Sequence, residues 1–149
     1  EGVLPITHKE MTRFNITLDE GVEMVINSLE TNKGGEIYVP KIPSYKVMDV
    51  ADAIGPSCEK RVVGIRPGEK IHEEMITEAD SISTYDFGNK YAILPGDGSV
   101  EEKYKDSGIK LKKITNGFKY NSGTNSKFMK IADIRKKIID NVDPTFQPI

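Results

Sequence analysis

The chain has 149 residues and sets 21 Lys plus Arg against 23 Asp plus Glu, a formal net charge of -2, and this length suits one ordinary domain or two very small ones. At 37% hydrophobic and 30% charged it can bury a core and stay in water, and the near balance of charge excludes the broad basic field that nonspecific nucleic-acid binding needs. One cysteine, Cys58, excludes an internal disulfide or a cysteine metal cluster, and two histidines, His8 and His72, cannot build a histidine-rich metal site.

The first predicted element is a helix opened by Thr17-Leu18-Asp19-Glu20. This is a capping box, in which the Thr17 hydroxyl accepts from the third helical amide and Glu20 reaches back to the cap amide. Val22, Val25, Ile26 and Leu29 follow at helical spacing and give one apolar face, with the end near Asn32 to Gly35. Glu36 to Val39 reads as a short strand closed by Pro40 and Pro43. A second helix carries Val47, Val50, Ala51 and Ile54 and stops at Gly55-Pro56. Arg61 to Ile65 reads as a strand leading into Arg66-Pro67-Gly68-Glu69, and Lys70 to Ile76 as a short helix or helical turn. Ser81 to Asp86 and Lys90 to Leu94 read as extended pieces joined around Phe87-Gly88-Asn89. After the Asp97-Gly98 turn, the Lys-rich span from Ser99 to Lys113 reads as an exposed excursion, and a last helix carries Ile131, Ile134 and Ile138.

This order predicts a mixed α/β fold without a complete nucleotide-binding sheet. The glycine-rich turn G-x-G-x-x-G that cradles a pyrophosphate is absent from the sequence. So is a Tyr-x-x-x-Lys acid and base pair, since none of the six tyrosines has a lysine four positions on. No apolar run reaches the roughly 18 to 20 residues of a membrane helix, and no signal segment opens the chain. The cytoplasm is therefore the expected compartment, with no membrane partner. The chain begins Glu1-Gly2 without Met, and the expectation is that residues precede it.

The segment of greatest chemical interest is Arg66-Pro67-Gly68-Glu69. A strand delivers an arginine to a turn, proline fixes the backbone and glycine permits close approach. An arginine fork held this way matches the oxygens of a diphosphate in pairs, and Glu69 can accept ribose hydroxyls; the plain alternative is a surface ion pair beside a turn. Met11-Thr12-Arg13-Phe14 offers a second arginine for the same anion, or else an N-terminal arm with a solvated charge. His72 is not part of an H-E-x-x-H motif, because Ile76 stands four positions on, and reads as a solvated or hydrogen-bonded structural histidine. Cys58 reads as an inert thiol. Tyr120 to Ser126 is either a loop before the last helix or a strap closing one edge of a ligand site.

Together, Met11-Thr12-Arg13-Phe14 with Thr17-Leu18-Asp19-Glu20-Gly21-Val22, Gly34-Gly35-Glu36-Ile37-Tyr38-Val39-Pro40-Lys41, and Gly64-Ile65-Arg66-Pro67-Gly68-Glu69-Lys70-Ile71-His72-Glu73 resemble the C-terminal part of the UDP-N-acetylglucosamine 4,6-dehydratases. These belong to the extended short-chain dehydrogenase/reductase superfamily and serve polysaccharide biosynthesis. Asn121-Ser122-Gly123-Thr124-Asn125 is similar to their tails, and the likeness is weakest from about Gly96 to Phe118. The resemblance implies a motif-bearing region over 1–95, an excursion over 96–118, and a closing loop with the C-terminal helix over 119–149.

It also implies the chemistry. Such enzymes bind NADP or NAD in an N-terminal Rossmann domain, oxidise the sugar at C4, eliminate water across C5 and C6 and return the hydride to C6. The most similar type inverts C5 on the route to pseudaminic acid. Arg13 and Arg66 would contact the UDP diphosphate and Glu69 the ribose, with Met11, Thr12 and Asn121 completing the substrate site. No catalytic residue and no cofactor falls to this chain, which is expected to be inactive alone. Its implied partners are the UDP-sugar, a Rossmann domain in cis or as a separate chain, and a second copy in a homo-oligomer. Alternatives are a stand-alone nucleotide-sugar-binding or structural module without catalysis, or a related C4-dehydratase or a C3- or C5-epimerase.

Overall fold

The computed structural model describes residues 2–149. It opens with strands β1 (Val3–Ile6) and β2 (Thr12–Phe14), helix α1 (Leu18–Thr31), strands β3 (Ile37–Pro40) and β4 (Ser44–Lys46), and helix α2 (Val47–Ile54). Strands β5 (Glu59–Val62) and β6 (Glu74–Ile76), a 3-10 turn at Asp80–Ser83, and strands β7 (Thr84–Asp86) and β8 (Lys90–Ile93) follow. Helix α3 (Ser99–Asp106), strands β9 (Lys112–Lys113) and β10 (Tyr120–Asn121), and helix α4 (Ile131–Asn141) complete the chain. The fold is mixed α/β. Its residues form two compact units, one built from the chain up to Asn15 with Ile42–Glu73 and Asn121–Ile149, the other from Ile16–Lys41 with Glu74–Tyr120.

In the first unit β1 pairs in parallel with β5, and β2 pairs antiparallel with β4 so that Arg13 stands opposite Tyr45. The apolar stripes predicted for α2 and α4 meet: Ala53, Met129 and Ile134 are buried together, with Val50, Ile131 and Ile138 packed around them. Burying a side chain such as Ile134 contributes about 1.5–3 kcal/mol. Arg135 on α4 also caps α2, donating from Nε to the Ala53 carbonyl at 3.0 Å and from Nη2 to the Asp52 carbonyl at 3.2 Å. Those carbonyls belong to the last turn, where the helix itself supplies no donors.

Two sequence expectations need correction here. The strand foreseen at Arg61 to Ile65 lies at Glu59–Val62, because its partner β1 ends at Ile6, opposite Val62. Lys70 to Ile76 is not helical: it bends at Ile71 and His72 and enters β6. The backbone groups that a helix would pair locally are taken from afar. The Ile71 carbonyl accepts the Thr12 N–H at 3.0 Å, and the Glu73 carbonyl accepts the Ser122 N–H at 2.8 Å.

In the second unit α1 begins with the predicted capping box, Glu20 N–H to Thr17 Oγ1 at 3.2 Å and Thr17 N–H to Glu20 Oε2 at 2.7 Å. Strands β3, β8, β7 and β9 form an antiparallel sheet in that order, so β3 is an edge. The core holds Tyr85, Ala92, Leu94, Val100 and Tyr104. The last two come from α3, so the span from Ser99 to Lys113, foreseen as an exposed excursion, sends Val100 and Tyr104 into the core while most of its other residues are exposed. Tyr104 is 1% exposed, and its hydroxyl donates to Glu36 Oε1 at 2.7 Å beside the Tyr38 hydroxyl at 2.9 Å.

Helix α1 leaves its apolar face in the open. Leu18 is 82% exposed and Leu29 71%, and Val22, Val25 and Ile26 are exposed as well. A groove of about 550 Å³ lined by Ile16, Leu18, Val22, Val25 and Ile26 runs along this face. An amphipathic helix draws its tertiary stability from covering such a stripe.

Candidate ligand-binding site

Strand β2 places Arg13, and its neighbours hold the guanidinium. Nη1 donates to the Thr12 carbonyl at 2.7 Å and to the Ile71 carbonyl at 3.2 Å, while Nε lies 3.8 Å from Glu73 Oε1. Glu73 Oε2 accepts the Phe14 N–H at 2.8 Å. Arg13 is thus neither an arm nor a free charge, but a half-buried cation fixed on three sides. Tyr45, facing it across the ladder, has its phenol pushed above the ordinary value first by burial and then by the Glu73 carboxylate, with Arg13 opposing.

Arg66 stands differently. Its segment closes a turn on itself: the Arg66 N–H donates to Glu69 Oε2 at 2.9 Å and the Glu69 N–H returns to the Arg66 carbonyl at 3.0 Å. Gly68 sits at φ +82, in the left-handed region that a side chain would strain. The Arg66 side chain is exposed and has no protein partner among the described residues. The Glu69 carboxylate gives one oxygen to the turn and retains acceptor capacity for a ligand hydroxyl. This is an exposed cation on a turn closed by two hydrogen bonds.

The other residues singled out in the sequence fall inward. Met11 and Thr12 are buried, Met11 accepting the Thr7 hydroxyl on its sulfur at 3.1 Å. Asn121 is partly buried and its side-chain oxygen accepts the Gly123 N–H at 2.7 Å. The loop after it is pinned at two points: Ser122 is 0% exposed, and Asn125 Nδ2 donates to the Ile42 carbonyl and to Ser44 Oγ, each at 2.9 Å. His72 is hydrogen bonded, its Nδ1 2.8 Å from the Thr12 hydroxyl, as the structural reading of that histidine requires. Cys58 is buried and free.

Sequence reasoning missed Glu73, the Ile71 carbonyl, Tyr45 and Ser122. The only signal for Glu73 was a carboxylate in the same motif as Glu69. The others depend on pairing across the fold. The fingerprint that holds a dinucleotide is missing: β1 and β5 are paired in parallel but no glycine-rich turn stands in the sequence, and the second unit's sheet is wholly antiparallel. Among the described residues no group of three or more His, Cys, Asp or Glu is placed to hold a metal, and no helix is long and apolar enough to cross a membrane.

The chain is a mixed α/β fold in which Arg13 is held by the Thr12 and Ile71 carbonyls and Arg66 stands exposed on a closed turn. Residues 1–95 match the family model described as polysaccharide biosynthesis protein, and the chain belongs to that family. It is closely related to bacterial enzymes of the short-chain dehydrogenase/reductase superfamily. It is 41% identical over 146 residues to the UDP-N-acetylglucosamine 4,6-dehydratase (inverting) of Campylobacter jejuni subsp. jejuni serotype O:23/36, covering 95% of this chain and 42% of that protein. It is 46% identical over 126 residues to the protein of the same name from serotype O:2, covering 82% of this chain and 38% of the relative. The chain thus spans about two-fifths of the length of these curated relatives. The crystal structure of Pen from Bacillus thuringiensis shares the fold with a TM-score of 0.75 at 22% identity, over 93% of this chain and 41% of that one.

Proposed function

We propose that this chain is the UDP-sugar-binding portion of a lyase that converts UDP-N-acetylglucosamine to a UDP-4-keto-6-deoxy-N-acetylhexosamine with inversion at C5, on the route to pseudaminic acid in the cytoplasm. Arg13 and Arg66 grip the diphosphate and Glu69 accepts the ribose hydroxyls. Asn121 borders the ligand, while Met11 and Thr12 support the strand that carries Arg13. The single observation behind this assignment is the closed Arg66–Glu69 turn, which presents a guanidinium without a protein partner in a chain 41% identical to an inverting dehydratase along almost its whole length.

The dinucleotide, NADP or NAD, and the acid and base of dehydration fall to a Rossmann half outside these 149 residues, and the assembled enzyme works as a homo-oligomer. The uncovered apolar face of α1 and the edge strand β3 favour this reading over a stand-alone module, because both are surfaces that more protein would bury. Calorimetric titration of the chain with UDP tests the binding role. The expected result is saturable binding that Arg66→Ala weakens by about tenfold, the scale of one charge-assisted hydrogen bond. Equal binding by the variant would remove Arg66 from the site.

A further inference from the structure

Thr12, His72 and Ser122 form a partly buried polar cluster in which the ligand reading gives His72 and Ser122 no task. The Thr12 hydroxyl stands 2.8 Å from His72 Nδ1 and 2.7 Å from Ser122 Oγ. Ser122 Oγ accepts the Glu73 N–H at 2.8 Å, and the Ser122 N–H donates to the Glu73 carbonyl at 2.8 Å. Gly123 then packs against the imidazole so closely that an added Cβ would stand 2.6 Å from His72 Nδ1 and 2.7 Å from its Cγ. Nothing larger fits there without moving the ring.

The bonds link His72, Thr12, Ser122 and Glu73 in one network. Each hydroxyl has one proton to give. When His72 accepts at Nδ1, Thr12 donates to it, and the Ser122 hydroxyl donates to the Thr12 hydroxyl or to the Thr12 carbonyl at 3.3 Å while accepting the Glu73 N–H. Successive side chains of a strand point to opposite faces, so β2 engages the segment around His72 twice. Thr12 bonds the His72 side chain, while Arg13 is held by the Ile71 carbonyl and the Glu73 carboxylate on either side of that histidine.

We infer that His72 is a positioning residue for Arg13. Through Thr12 and Ser122, and wedged by Gly123, it fixes the backbone from Ile71 to Glu73 and thereby the two acceptors that orient the guanidinium. Its effect on affinity rests on the proposed grip of Arg13 on a diphosphate; its effect on the arginine does not.

The test uses the 149-residue chain in five forms besides wild type: His72→Phe, His72→Asn, Gly123→Ala, Arg13→Ala, and His72→Phe combined with Arg13→Ala. Nuclear magnetic resonance of the arginine Nε–H groups reports the state of Arg13, and titrations with UDP and UMP report binding. In His72→Phe and Gly123→Ala the Arg13 signal is expected to move to the position and exchange rate of an exposed arginine. UDP affinity should fall about tenfold with UMP affinity little changed, because UMP lacks the second phosphate. His72→Asn, which returns a hydrogen-bonding atom near the Nδ1 position, should restore both, and the double variant should bind UDP no worse than Arg13→Ala alone. An unmoved Arg13 signal in folded His72→Phe overturns the inference, as does a UDP loss that adds to that of Arg13→Ala. If wild type binds neither nucleotide while His72→Phe still releases Arg13, the positioning role stands and the diphosphate reading fails.

Discussion

At the residue scale the two arginines do different work. Arg66 is exposed and uncommitted, whereas Arg13 already gives its donors to two carbonyls and leans toward Glu73. Lysine offers a point charge without a planar fork, so it cannot meet those acceptors together. Arg13→Lys is therefore expected to weaken UDP binding by about tenfold and to lower the melting temperature, both read by thermal shift with and without UDP; unchanged values for both would mean that the fork is not needed. Arg13, Arg66 and Glu69 were legible in the sequence as candidates for the proposed site because arginine before a Pro-Gly turn and arginine before a capped helix are local patterns. Glu73 and Ser122 were not, since their roles come from pairing with β2, about 60 and 110 positions away.

At the element scale the capping box is the clearest local signal and forms as spelled. Thr17→Ala should cost about 1 kcal/mol of stability, measurable by denaturant unfolding; no loss would mean that α1 is held by contacts other than its cap. Helix α3 was hidden because only Val100 and Tyr104 of its eight residues face inward, too sparse a stripe to read. The Lys70 to Ile76 stretch misled for the opposite reason: Ile71 and Met75 are spaced like a helix, yet long-range bonds claim its backbone. In the second unit, burial, and then the bond to Glu101, hold the Tyr85 phenol up to about 12. The folded chain thus keeps a proton that the unfolded chain releases near the ordinary value of 10.0. The stability this supplies is whole below that pH and is lost as pH rises toward 12. Tyr85→Phe should flatten the fall in melting temperature across this window, and an equally steep fall would exclude Tyr85 as a source. Tyr104, also raised by burial and its bonds to Tyr38 and Glu36, contributes in the same sense.

At the scale of the whole molecule the chain presents two kinds of surface. One is in the first unit, where a closed turn presents the exposed Arg66 to which the proposed function assigns the diphosphate. The other is the apolar face of α1 in the second unit, a regular amphipathic helix with little against its stripe. The sequence marked α1 as amphipathic, but periodicity says only which side is apolar and never what covers it. The proposed division of labour accounts for both surfaces: substrate binding here, and dinucleotide chemistry in the longer protein to which the relatives point. The most direct measurement is a backbone amide spectrum of the chain titrated with UDP-N-acetylglucosamine. The account predicts saturable shifts centred on Arg13, Arg66, Glu69 and Asn121, with the amides of α1 unmoved. No shifts, or shifts confined to the α1 groove, would contradict it.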